Sequence, residues 1–292
     1  MTTKLPVEIE DIQSWPEEFR DEAFKHKTLL ISYHQEYRRI SRLGEEVLIA
    51  RVYPPLNEFE EEYRALADRL ETILSERRIV GYHCTRLTAS EIKAIKNRGL
   101  NILSKELVQQ RLDNALIDGL LTEEEALYLR NSDNLKETLD DKYGGRTGMI
   151  WFCPNRSSLQ YESGVYRLFR SWGGEAIYWG HERDDNIAHA IRRLGKPCIV
   201  KCALPFCVAG HFSERLSDRF LSYVVSDAIE YPEPSVRFDM CSKQNLAATD
   251  ILEIIEITDP EFEQLTGYKS WTTKTILEQA ALAIDLWIIS HF

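Results

Sequence analysis

The sequence contains no run of 18 apolar residues, which removes a membrane-spanning helix from consideration. Its opening stretch, Met1-Thr2-Thr3-Lys4-Leu5-Pro6 followed by Glu8, Glu10 and Asp11, has no apolar signal core. A cytoplasmic chain is therefore expected, with no membrane partner. Basic residues are in deficit: 36 Lys and Arg face 47 Asp and Glu, for a net charge of −11. That argues against wholesale charge-driven binding to nucleic acid, though it leaves room for a local basic groove. The standard phosphate motifs are missing too. No G-x-G-x-x-G follows a strand, and no G-x-x-x-x-G-K-[ST] occurs. There is no G-x-S-x-G nucleophile elbow. The common dinucleotide-fold, P-loop and α/β-hydrolase readings thus lose their main support. The six cysteines, in a cytosolic chain, are expected as thiols.

What is present is an ordinary globular composition, 43% apolar and 28% charged over 292 residues. Residues 1–78 read as a helical region. Its clearest stripe is Phe59, Tyr63, Leu66, Leu70, Ile73 and Leu74, with Asn57 as the expected cap and Glu60 three residues on. At Ile79-Val80-Gly81-Tyr82-His83 the pattern changes to a strand. Thr88 and Glu91 predict a capping box, and Gly99 stands where a left-handed helix stop is wanted. Residues 104–140 read as a helical insertion with a second box at Thr122 and Glu125. Met149 to Cys153 reads as a strand stopped by Pro154. A helix is expected to close at Gly173-Gly174, with Ala176-Ile177-Tyr178-Trp179 resuming as strand. Asp184 or Asp185 should open a helix carrying Ile187, Ile191 and Leu194. Strands are expected near 198–204, 220–231, 236–241 and 251–257, and an apolar helix over 273–289.

Several residues invite chemistry. Cys198, Cys202, Cys207 and His211 have soft-ligand character, but Cys198 and Cys202 lie in a strand-like run that sets them about 13 Å apart at ~3.3 Å per residue. No metal site is expected there. Cys84 adjoins His83, yet neighbouring strand residues point to opposite faces, so the histidine is poorly placed to activate that thiol. Ser171-Trp172-Gly173-Gly174-Glu175 is either a helix stop or a loop where backbone approaches a ligand, with Glu175 as an acid. Around it the charge inverts. Residues 146–215 hold ten basic and six acidic side chains, a local +4 that suits a solvated face or an anionic ligand.

Tyr82-His83-Cys84-Thr85-Arg86, followed by a helix ending at Gly99-Leu100, resembles the first motif of the ADP-ribosyltransferase superfamily of the diphtheria-toxin and poly(ADP-ribose) polymerase type. Those enzymes carry Tyr-His-Gly-Thr/Ser on a strand, then a helix and Gly-Leu. Ile150-Trp151-Phe152 followed by Ser157-Ser158 is similar to the second motif. Phe238-Asp239-Met240-Cys241 and Leu246 to Ile251 resemble the third, an acidic residue on a strand. The resemblance spans residues 79–257. This chain departs from the pattern in having Cys84 for glycine, Trp151 for tyrosine and Asp239 for glutamate.

The resemblance implies an α+β fold, with a mixed β core over 79–260, an N-terminal helical region over 1–78, a helical insertion and a C-terminal helix within 261–292. It implies transfer of ADP-ribose from NAD to a protein or nucleic-acid acceptor, the activity of an intracellular toxin or defence effector. It assigns His83, Trp151 and Asp239 to catalysis. Tyr82, Cys84, Thr85, Phe152 and Ser157 would line the NAD site, and Arg86, Arg146 or Arg156 would meet the pyrophosphate. Glu175, Glu230 and Glu233 rival Asp239 for the acidic role. Cleaving the glycosidic bond builds an oxocarbenium-like ribose, which a carboxylate stabilises. The readings from other classes are a non-catalytic partner-binding protein on the same fold, and a cysteine- or zinc-dependent hydrolase.

Overall fold

A computed structural model describes residues 5–140, 146–206, 209–211, 215–229, 240–274 and 277. The described residues form an α+β protein with 13 α-helices and two three-stranded sheets. In chain order the elements are α1 (Glu17–Lys25), α2 (Lys27–Glu46), α3 (Leu48–Val52), α4 (Glu60–Leu74), β1 (Arg78–Leu87), α5 (Ala89–Arg98), α6 (Lys105–Ile117), α7 (Glu123–Asn131), α8 (Asp133–Leu139) and β2 (Ile150–Phe152). They continue with α9 (Glu162–Arg170), α10 (Glu175–His181), α11 (Ala188–Arg193), β3 (Lys196–Pro205), β4 (Ala209–His211), α12 (Leu216–Val224), β5 (Met240–Ser242), β6 (Ile251–Glu256) and α13 (Pro260–Thr266). No described helix is long and apolar enough to cross a membrane. The described residues fall into two compact units. One holds 5–79, 205–206, 211 and 215–229; the other holds 80–140, 146–204, 209–210, 240–274 and 277.

The first unit is helical. Helix α4 begins with Glu60, Glu61 and Glu62, which suit the positive helix N-terminus, and buries Tyr63, Leu66, Ala67, Leu70 and Leu74. Asn57 holds the turn before it: its side-chain oxygen accepts from the Phe59 N–H at 3.0 Å, not from Glu60. Trp15, Phe19 and Phe220 pack edge-to-face at 5.3–5.4 Å, so α12 shares a core with the N-terminal helices. Tyr63 stacks on Tyr33 at 3.7 Å and donates to Asp218 at 3.0 Å.

His34, on α2, packs beside Tyr33 and Tyr63. Burial, seconded by the nearby Arg38 charge, lowers its pKa from 6.5 to about 4. Between those values the unfolded chain binds a proton that the folded chain refuses. Stability therefore falls as pH drops from about 6.5 towards 4, by roughly 2–3 kcal/mol. Urea unfolding at pH 7.5 and 5 should show that loss, and His34→Gln should flatten it.

The second unit holds the sheets. One runs β1-β3-β6 and the other β2-β5-β4. Strands β3 and β6 are antiparallel, as are β2 and β5, where Trp151 faces Cys241 and Phe152 faces Met240. Strand β1 is buried along almost its whole length, and a bridge from Tyr82 to Cys153 ties it to the end of β2. Gly81 lets the layers meet: a Cβ there would lie 2.6 Å from the side chains of Leu204 and Met240. One apolar cluster gathers Tyr82, Phe169, Ile199 and Phe262 around β1. A second, built from α6–α8, α10 and α11, surrounds the fully buried Trp172.

Both predicted capping boxes form, Thr88 with Glu91 and Thr122 with Glu125. Gly99 has a positive φ of 86°, but its ψ is −163°, so the chain leaves α5 extended and not through a left-handed stop. A side chain there would land on the Leu246 carbonyl, across the Leu100–Leu246 bridge.

Two expected strands are helices. Residues 176–179 belong to α10. The positive-φ pair Gly173-Gly174 turns the chain, and Ala176, Ile177 and Tyr178 are buried together, which a half-buried strand with alternating faces would not do. Residues 220–224 belong to α12, whose buried Leu216, Phe220, Leu221 and Val224 recur at helical spacing. The expected strand over 236–241 is described from Met240 onward. Residues 230–239 and nearly all of the expected 273–289 helix lie outside the described residues, and with them Glu230, Glu233 and Asp239.

Candidate functional site

A cavity of about 220 Å³ opens within the second unit, where β1, α5, α6, β2 and the start of α10 converge. Its polar lining includes His83, Arg111, Arg146, Trp151 and Glu175, and apolar walls come from Leu87, Ile95, Leu103, Leu107 and Met149. His83 and Trp151, 68 residues apart, are joined directly: His83 Nδ1 lies 2.8 Å from the Trp151 carbonyl oxygen. A carbonyl only accepts, so Nδ1 carries the proton and Nε2 presents a lone pair. Burial lowers the His83 pKa, the Trp151 carbonyl partly opposes that shift, and the Arg111 charge adds to it. The imidazole is accordingly neutral at neutral pH.

Arg146 links the other two groups. Its guanidinium sits 4.4 Å from the Trp151 ring centroid and pairs with Glu175 at 2.9 Å. A flat cation thus lies against an indole face and a carboxylate. Glu175 reaches this position as the first residue of α10, directly after the Gly173-Gly174 turn.

Glu91 also lines the cavity, yet its oxygens are occupied by the Thr88 N–H, the Trp172 indole N–H and Arg111 Nε, at 2.8, 2.9 and 2.6 Å. It anchors Arg111. That arginine lies 4.8 Å from the Trp172 ring and keeps a buried Nη2 with no acceptor among the described residues. A cavity-lining guanidinium with an unanswered donor suits an anionic oxygen. Arg111 stands on α6 inside the helical insertion, and nothing in its local sequence sets it apart from the other charged residues there.

The predicted site residues therefore divide. His83, Cys84, Thr85, Trp151, Arg146 and Glu175 share the cavity lining. Arg86 does not. It is fully buried, and its guanidinium donates to three backbone carbonyls, those of Leu194 (2.8 Å), Phe169 (3.1 Å) and Gly195 (2.5 Å). Its expected meeting with a pyrophosphate is replaced by a structural role. Tyr82 is fully buried in the core around β1, and Arg156 Nε donates to its hydroxyl at 3.3 Å. Phe152 is buried, edge-on to His83 at 5.8 Å. Ser157 opens a short 3₁₀ turn and accepts from Asn155 Nδ2 at 2.5 Å, away from the cavity lining.

Neither Cys84 nor the two β3 cysteines favours the thiolate that a hydrolase nucleophile needs. The neighbouring Cys153 thiol, with burial, pushes Cys84 well above the usual thiol range. Cys198 and Cys202 are both buried on β3; desolvation raises Cys198 to about 12 and Cys202 further. Among the described residues no group of three or more His, Cys, Asp or Glu side chains is arranged to hold a metal, while Cys207 and the His211 side chain lie outside them. No family model, curated protein or solved structure matches the chain.

Proposed function

We propose that the His83–Trp151–Glu175 cavity binds NAD by its nicotinamide end and cleaves the glycosidic bond, passing ADP-ribose to an acceptor nucleophile. The observation that carries this reading is the flat cation already lodged there. The guanidinium of Arg146 rests on Trp151 and pairs with Glu175. The nicotinamide ring of NAD is also flat and cationic, so the same indole face and carboxylate suit it. On this reading Arg146 yields its place on Trp151 to the ring and turns to the pyrophosphate, where Arg111 Nη2 offers a second donor. Small-molecule pockets usually enclose about 300–1,000 Å³, so a cavity of about 220 Å³ suits only one end of NAD, with the adenosine outside it.

The chemistry follows from the groups present. The bond from ribose C1′ to the nicotinamide nitrogen breaks, its electron pair leaves with neutral nicotinamide, and C1′ becomes cationic. Glu175 supplies negative charge to that cation. The His83 Nε2 lone pair accepts from a ribose hydroxyl and fixes the sugar. The acceptor nucleophile then bonds to C1′ and gives up its proton to solvent at the cavity mouth. The apolar walls limit water, favouring transfer over hydrolysis.

Binding is tested by titrating NAD and 1-methylnicotinamide, a nicotinamide cation without the rest of the dinucleotide. Both should quench tryptophan fluorescence, and Trp151→Ala should abolish the response to 1-methylnicotinamide. A response undiminished in Trp151→Ala would remove Trp151 from the site.

A further inference from the structure

Within the same unit, but lined by other residues, α9 and the stretch from α10 to α11 enclose a cleft of about 780 Å³. Four arginines line it, Arg167, Arg170, Arg183 and Arg192, together with Tyr166 and Trp179. The chain carries −11 overall, so this concentration of positive charge runs against its composition. One carboxylate, Glu182, answers it, pairing with both Arg167 and Arg170. Arg192 is bonded to the Glu182 backbone carbonyl at 2.5 Å and has no ion pair among the described residues. Arg183 is exposed, with no ion pair or hydrogen bond among the described residues. The Nε atoms of Arg170 and Arg192 are buried and lack acceptors among the described residues. Buried guanidinium donors without partners are costly, and the arginines that carry them line the cleft, where a multivalent oxyanion would meet their charge.

The aromatic side chains narrow the class of anion. Trp179 is 62% exposed, uncommon for so large an apolar side chain, with Arg167 lying 5.0 Å from its ring centroid. Tyr166 lies 5.5 Å from the Arg170 guanidinium. Arginines that hold phosphate beside an exposed indole on which a base can stack form the usual platform for nucleotides in a flexible strand. An inorganic anion would use the arginines and leave Trp179 idle.

We propose that this cleft binds nucleotides, with Arg183, Arg192 and Arg170 on the phosphate and Trp179 stacked on the base. The ligand is either a stretch of single-stranded nucleic acid or a free nucleotide, since both present that chemistry. The inference stands independently of the NAD reading, because none of these residues lines the first cavity.

The test measures fluorescence anisotropy with fluorescein-labelled (dT)12, competed by unlabelled dTMP or by inorganic pyrophosphate. The parent protein should bind, with affinity falling as salt rises. Trp179→Ala should weaken binding at least about fivefold, as expected for loss of one base stack. Arg183→Glu, a change at an exposed position without an ion pair among the described residues, should weaken it further and lower the salt slope. His83→Ala, in the first cavity, should leave the affinity unchanged. If (dT)12 binds far more tightly than dTMP competes, the ligand is a strand; if dTMP competes at equal concentration, it is a free nucleotide. Absence of binding by both would overturn the proposal. So would affinities unaltered in Trp179→Ala and Arg183→Glu, or competition by pyrophosphate with no effect of Trp179→Ala.

Discussion

Replacing Glu175 by Gln is expected to cut the rate of nicotinamide release by about 10²–10³ while leaving NAD affinity within a few-fold of the parent. On the proposed reading the carboxylate would face a ribose that is neutral in the ground state and cationic in the transition state, so its loss should fall mainly on kcat. Gln also breaks the pair with Arg146, which eases that side chain off Trp151 and works against any loss of affinity. His83→Ala and Trp151→Ala should differ by raising KM as well, because on the proposed reading they would touch the ligand before chemistry. The steady-state kinetics of all three variants separate these outcomes. Asp239→Asn, Glu230→Gln and Glu233→Gln belong in the same series. If Asp239→Asn abolishes release while Glu175→Gln keeps near-normal turnover, the acid is Asp239.

Arg86→Met is expected to destabilise the protein by about 3–5 kcal/mol, with no selective effect on NAD binding. Three buried carbonyls, of Leu194, Phe169 and Gly195, take their donors from this one guanidinium, and an apolar replacement leaves all three unanswered. Burial also lowers the Arg86 pKa to about 10, the mark of a cation held without a carboxylate partner. Arg86→Lys should rescue little, since a single ammonium cannot span the planar fork. Domains are commonly stable by about 5–15 kcal/mol, so a loss of this size should show as a large drop in urea midpoint or in soluble yield. A folded variant with parental stability and weakened NAD binding would restore Arg86 to the ligand site.

Local chemistry was the most legible part of the sequence. The boxes at Thr88–Glu91 and Thr122–Glu125 involve groups three residues apart, so no distant contact can easily override them. The joining of His83 to Trp151 was also within reach, because two strands carried them in a recognisable order. Residues 176–179 and 220–224 were misread because Ile-Tyr-Trp and Tyr-Val-Val favour strands intrinsically, whereas tertiary burial decides the outcome. In α12 the contrary signal was present, with Leu216, Phe220 and Val224 four residues apart. Arg86 and Arg111 show the limit of such reading. Both are arginines near the first motif in space, one consumed by backbone carbonyls and the other left with a free donor, and only the folded chain distinguishes them.

The central claim is that this cavity breaks the nicotinamide–ribose bond, and release of free nicotinamide from NAD measures that event directly. Purified protein incubated with NAD labelled in the nicotinamide ring should release label above the buffer rate, while Glu175→Gln, folded to the same degree, should release it about 10²–10³ more slowly. Folded parent protein that binds NAD yet releases no label above buffer, alone or with added lysate acceptors, would contradict the account.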